Sequence, residues 1–281
     1  MFPTLKPRAS AFPDLDEASS SFGAFAVRNI RMSVEGAIGR ITLARPEKKN
    51  ALDRATAGEL AEALFALSEA PVRVVAIDGD GADFCAGADL AALEEMLDAP
   101  RQEHIDDAKA LAHVFHTIRR MEKPVVALVR GRAYAGGAGL ATACDIVLAH
   151  EDARFAYPEV TIGFVPAMVM TMLRRCVGEK VAFDLVSTGR VLKAEEAKSI
   201  GLVSRVFAAR EFETLSQSVL NQLADAPPSA MAATKTLFYK LDTLGFLDGI
   251  SAGIVANADA RSTAAFREGV KRFTGRKRDT Q

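Results

Sequence analysis

The chain is short of most features that would place it at a glance. It holds three cysteines in 281 residues, Cys85, Cys144 and Cys176, all in apolar settings and none in C-x-x-C spacing. That pattern argues against a disulfide framework or a thiolate metal site and predicts buried thiols in a reducing compartment. Four histidines without metal-ligand spacing give no basis for expecting a metal centre. No apolar run is long enough to cross a bilayer. Lys and Arg number 35 against 36 Asp and Glu, for a formal net charge of −1. Such balance gives no reason to expect nucleic acid or an acidic membrane surface as partner. Met1 to Gly23 carries prolines, serines, Asp14, Asp16 and Glu17 but no apolar core, so it reads as neither a secretory signal nor a transit peptide. A cytoplasmic location is expected.

What is present is an ordinary globular composition, 49% hydrophobic and 25% charged, on a chain long enough for a large core and a smaller appendage. Residues 1–21 read as a flexible arm, 22–208 as an α/β core and 209–281 as a helical region without strand patterning. Phe25 to Met32 and Ala37 to Leu43 read as a hairpin turning at Glu35-Gly36. Asp53 is placed to cap a helix whose apolar face is Leu60, Ala63, Leu64 and Leu67. Val72 to Asp78 and Pro124 to Val129 read as buried strands, with a helix over His104–Met121 between them. Beyond Glu211, helical spacing recurs over Phe212–Leu223, Ser229–Leu241, Leu247–Ala258 and Ser262–Phe273. The basic tail from Lys271 to Arg278 reads as a solvated end.

Both buried strands run into loops of small residues. The first is Phe84-Cys85-Ala86-Gly87-Ala88-Asp89-Leu90 and the second Gly131-Arg132-Ala133-Tyr134-Ala135-Gly136-Gly137-Ala138-Gly139. A strand that turns into a helix through small residues leaves unpaired backbone N–H groups, and the missing side chains let a ligand approach them. Such a bend suits an oxyanion or a phosphate. Close packing of a helix on a strand is the plainer alternative.

These two loops, together with Arg45-Pro46-Glu47-Lys48-Lys49-Asn50-Ala51-Leu52, resemble in order and separation the signatures of the enoyl-CoA hydratase/isomerase (crotonase) family over about Phe25 to Phe273. The resemblance implies a spiral of ββα units with a helical C-terminal region that builds trimers or hexamers. It implies an acyl-CoA thioester as substrate, with coenzyme A part of that substrate and no separate cofactor or metal. By the same resemblance, the N–H groups of Ala88 and Gly136 would hold the thioester oxygen, Glu159 in Tyr157-Pro158-Glu159-Val160 would shuttle a proton, and Ala86 and Leu90 would line the adenine and pantetheine path. Asp89 and Gly139 fall within the same substrate-binding loops. Lys48 or Lys49 would meet the CoA phosphates, although the commonly basic position nearby is here Glu47.

One departure bears on the chemistry. Two-carboxylate hydratases of the family carry a second glutamate three residues after the Gly136 position, where this chain has Gly139. Three accounts follow. Glu159 alone performs both proton transfers of a hydratase; or one base moves a proton between C4 and C2, as a 3-enoyl to 2-enoyl-CoA isomerase requires; or another group, Glu94, Glu95, His113 or His116, takes the vacant role. Hydration is the expectation. A non-catalytic CoA- or RNA-binding member is the alternative from a different class.

Overall fold

Gly36, with φ of 59°, makes the tight turn of the first hairpin among the described residues, a backbone conformation that favours glycine. It joins β2 (Ile30–Glu35) to β3 (Ile38–Leu43), and β1 (Phe25–Ala26) lies antiparallel on the outer edge of β2. The computed structural model describes residues 25–26 and 28–278; the arm expected over 1–21 lies outside them. The first long strand was expected to stop at Met32, but its ladder with β3 continues to the pair Glu35 and Ile38.

Helix α1 (Arg54–Glu69) starts where Asp53 accepts hydrogen bonds from Thr56 N–H and Thr56 Oγ1, each at 2.7 Å. Leu60, Ala63, Leu64 and Leu67 form its buried face, as their spacing predicts. Next come β4 (Val74–Gly79), α2 (Leu90–Glu95), α3 (Arg101–Arg120) and β5 (Val125–Val129). Every residue of β5 is buried, which suits a central strand covered on both faces. The chain continues through β6 (Arg132–Tyr134), α4 (Gly136–Ala143), β7 (Ile146–His150) and β8 (Arg154–Ala156). Then follow α5 (Ala167–Cys176), α6 (Glu179–Thr188), β9 (Leu192–Lys193), α7 (Ala194–Ser199), β10 (Arg205–Phe207) and α8 (Phe212–Ala224). Helices α9 (Pro228–Lys240), α10 (Phe246–Ser262) and α11 (Ala264–Arg278) complete it.

The main sheet has the order β1-β2-β3-β4-β5-β7-β10, parallel from β3 onward. A second, small sheet has the order β6-β8-β9. Strand β6 differs from expectation: the glycine-dense stretch is not one turn, because Arg132–Tyr134 pairs with β8 and the helix begins at Gly136 rather than near Leu140. One large core fills the side of the main sheet covered by α1, α3 and α4. On the other face Phe212, Val219, Leu220 and Ala224 of α8 pack on Val74, Ala76, Val126 and Leu148.

Helix α9 is anchored by a buried charge. Lys235 Nζ donates to Ile118 O, Lys123 O and Asp145 Oδ2 at 2.8, 2.9 and 2.6 Å. Tyr239 OH donates to Asp145 Oδ1 at 2.7 Å, and the Arg119 guanidinium stacks over the Tyr239 ring. Helix α10 buries none of its residues and presents Phe246, Leu247, Ile250, Ile254 and Val255 to solvent. No helix among the described residues is long and apolar enough to cross a membrane.

Candidate active site

The two small-residue bends leave the carboxyl ends of the adjacent parallel strands β4 and β5, the edge where ligands gather in open α/β sheets. Backbone bonds lace them together: Phe84 N–H to Arg130 O, Cys85 N–H to Arg132 O, and Tyr134 N–H to Cys85 O, at 2.8, 2.9 and 3.0 Å. Asp83 adds a two-pronged contact with the Arg132 guanidinium at 2.8 and 2.7 Å and also accepts from Arg132 N–H. The bends meet at their glycines. A methyl built on Gly87 would lie 2.9 Å from Ala135 Cβ and 3.4 Å from the Gly136 nitrogen.

Each bend has backbone amides without a backbone partner among the described residues. Leu52 N–H donates to Gly87 O and Asp89 N–H to Leu52 O, at 2.7 and 2.9 Å, so in this extended piece the Ala88 N–H faces away from Leu52. Gly136 is the first residue of α4, whose first intrahelical bond runs from Gly139 N–H to Ala135 O at 2.9 Å; the amides ahead of it have no helical partner. Ala135, immediately before, holds φ 47° and ψ −120°, a conformation costly for a residue with a Cβ and characteristic of functional bends.

Glu159 opens a short 3₁₀ turn, Glu159–Ile162, three residues beyond Ala156 of β8. That strand is tied to the second bend through the Tyr134 and Ala156 register and the bond from Ala135 N–H to Ala156 O, 2.9 Å. The Glu159 residue is only 7% exposed, and its Oε2 is buried without a hydrogen-bond partner among the described residues. Burial pushes its pKa above the ordinary carboxylate range, against a smaller opposing effect of its own backbone N–H. A buried, unsatisfied carboxylate is expensive, and one whose pKa burial has raised is suited to exchanging a proton near neutral pH.

The remaining sequence-predicted residues divide. Gly139 is buried against a closed apolar wall: a Cβ there would sit 2.6 Å from Val169 Cγ2 and 3.1 Å from Phe115 Cζ. Asp89 is buried, caps α2 through Ala91 N–H, and accepts from Arg45 at 2.7 Å and Lys48 at 2.8 Å. The hydrogen bond from Lys48, with that from Arg45, outweighs desolvation and holds the Asp89 pKa down at about 2. Lys48 is thus engaged at the bend, beside a 270 Å³ cavity that Arg28, Arg45, Asp53 and Asp89 also line. Leu90 is 69% exposed and Ala86 donates its N–H to Lys49 O. Glu94, Glu95, His113 and His116 are all exposed. Among the described residues no group of three or more His, Cys, Asp or Glu is placed to hold a metal.

Structure also explains the Arg45-to-Leu52 stretch, whose bracing role the sequence did not reveal. Arg45 reaches Ala51 O and Asp89, while Asn50 Nδ2 donates to Asp80 O and Asp83 O at 2.9 and 2.7 Å. Asn50 and Lys49 both take positive φ, 56° and 55°. The segment is a brace for the first bend.

Fold and site define an α/β enzyme of the crotonase type. A family model described as Enoyl-CoA hydratase/isomerase matches residues 33–280, and the chain belongs to that family. A Thermus thermophilus protein named "Putative enoyl-CoA hydratase" is 40% identical over 240 residues, covering 85% of this chain and 95% of the relative. The Clostridium acetobutylicum "Short-chain-enoyl-CoA hydratase" is 34% identical over 213 residues, covering 74% and 80%. Among solved structures, an enoyl-CoA hydratase of Mycobacterium smegmatis superposes with a TM-score of 0.85 at 31% identity, over 89% of this chain and 97% of that one.

Proposed function

We propose that the protein adds water across the double bond of a 2-enoyl-CoA thioester, with Glu159 as its sole catalytic carboxylate. The Ala88 and Gly136 amides hold the thioester oxygen. Glu159 takes a proton from water as the water oxygen bonds to C3; the π electrons move toward the thioester and leave negative charge on its oxygen. The enolate then collapses as Glu159 returns the proton to C2. Each oxyanion donor is worth roughly 3 to 4 kcal/mol in such a reaction. The observation that carries this reading is the buried Glu159 Oε2 with no partner among the described residues. The names of the relatives favour hydration over the other chemistries of the family.

Ala86 and the exposed Leu90 line the CoA path in this reading. Lys48 reaches a CoA phosphate only by loosening its bond to Asp89. The apolar side chains exposed on α10 are the surface through which a homotrimer or hexamer would form, and the buried free Cys85 and Cys144 suit the cytoplasm.

Isomerisation of a 3-enoyl-CoA is the second reading, favoured by the apolar wall at Gly139, since a single base suffices to move a proton from C4 to C2. Incubating the enzyme with a 2-enoyl-CoA and following the conjugated thioester absorbance separates the two. Loss of that absorbance is expected. Unchanged absorbance, with rapid conversion of a 3-enoyl-CoA, would replace hydratase by isomerase.

A further inference from the structure

The segment carrying Glu159 is joined to α4 at two levels. One is the backbone bond from Ala135 N–H to Ala156 O, just ahead of the helix. The other lies about two turns further along, where the Tyr157 hydroxyl is 2.9 Å from Thr142 Oγ1. Thr142 Oγ1 is also 2.6 Å from Ala138 O, a carbonyl with no proton to give. The threonine proton is therefore committed to Ala138, and Tyr157 must donate to Thr142. The result is a one-way chain, Tyr157 to Thr142 to the Ala138 carbonyl, ending in the first turn of the helix that Gly136 opens.

Packing alone does not call for this arrangement. Tyr157 is fully buried, and a phenylalanine would bury the same ring without a hydroxyl that costs free energy unless it is paired. Desolvation raises the phenol pKa above its ordinary value, so the hydroxyl stays a neutral donor throughout the working pH range. Tyr157 lies two residues before Glu159, with Pro158 between them at φ −87° and ψ 9°. An anchored tyrosine at the start of so short and stiff a connection sets where the glutamate's backbone begins.

We infer that Tyr157 is a positioning residue: its bond to Thr142 fixes the Glu159 carboxylate relative to the Gly136 amide. This rests on the reading that Glu159 and Gly136 act in catalysis. Misplacement of a catalytic group by about 1 Å can cost on the order of 100-fold in rate, whereas affinity for the CoA part of the substrate should be unaffected.

The test compares Tyr157→Phe, Thr142→Val, their double variant, Thr142→Ser and Glu159→Gln, measuring kcat, KM and melting temperature with a 2-enoyl-CoA and a 3-enoyl-CoA. Tyr157→Phe and Thr142→Val should each lower kcat about 10- to 100-fold with KM held within about twofold. The double variant should lose no more than either single one, because one contact is broken in all three. Thr142→Ser, which keeps the hydroxyl, should retain kcat. Parent-like kcat in Tyr157→Phe, or losses that multiply in the double variant, would overturn the positioning role while an inactive Glu159→Gln leaves the catalytic reading standing. Should Thr142→Val fail to fold, Tyr157→Phe set against Thr142→Ser decides the matter. Full turnover in Glu159→Gln overturns the catalytic reading itself, and the positioning role with it.

Discussion

Gly139 and Val169 face each other so closely that a Cβ on the glycine would begin 2.6 Å from Val169 Cγ2. The place where a second carboxylate would stand is therefore packed, with Phe115 completing the wall. Gly139→Glu alone is expected to lower stability by about 1–3 kcal/mol and to leave turnover no higher than in the parent. Adding Val169→Ala should recover much of the lost melting temperature. Thermal melts and hydratase assays on the single and double variants check this; a fully stable Gly139→Glu would show that the wall yields.

Glu159→Gln should lower kcat about 100-fold or more while making the protein more stable at neutral pH. The sign follows from the raised folded pKa against an ordinary value of 4.5. The parent's protonated glutamate supports folding fully below about pH 4.5, and that support fades as pH rises through the folded value. The variant's stability advantage should thus be present at pH 7 and vanish below pH 4.5, as read from melting temperature against pH. A kcat profile for the parent should fall on the acid side as Glu159 protonates, at a pH above 4.5.

Asp89 shows the opposite dependence. Its pKa falls from 3.8 to about 2 on folding, so its contribution is complete above pH 3.8 and is lost as pH drops toward 2. Asp89→Ala leaves Arg45 buried without this partner and should cost about 3–5 kcal/mol at pH 7. The gap from the parent should narrow under acid denaturation near pH 2. A gap that stays constant with pH would mean that the ion pair is not what stabilises the bend.

Adjacent glycines on the second bend should respond differently to alanine. At Gly136 the nearest atom to an added Cβ is 3.6 Å away, an ordinary contact, whereas at Gly137 it would be 2.2 Å from the Cys85 carbonyl oxygen. Gly136→Ala is expected to fold with a parent-like melting temperature. Gly137→Ala should lose about 3 kcal/mol or more and separate the two bends. Denaturant titrations of both variants give the comparison.

Much of this site was legible before any coordinates, because its parts are local. Small residues after a buried strand, Asp53 ahead of an apolar helical face, and Gly36 in a hairpin each announce themselves within a few positions. What escaped notice depends on contacts across the chain. The pairing of β6 with β8 draws a stretch that looks like a turn, Arg132–Tyr134, onto a segment that reads as extended, and β9 is only Leu192–Lys193. Nothing near Lys48 reveals that Asp89 holds it, 41 residues away. Nothing near Gly139 shows that Val169 fills the space beside it, and Thr142 and Tyr157 carry no signal of their bond.

The anchor of α9 has a practical consequence for shortened or tagged versions of the protein. A version ending before Lys235 would strip Asp145, at the root of strand β7, of both its lysine and its tyrosine partners. Among the described residues the carboxylate would keep Val125 N–H, at 2.6 Å, as its hydrogen-bond donor. Trimming for crystals or for library work should therefore stop beyond Tyr239, even though the helices that follow look detachable.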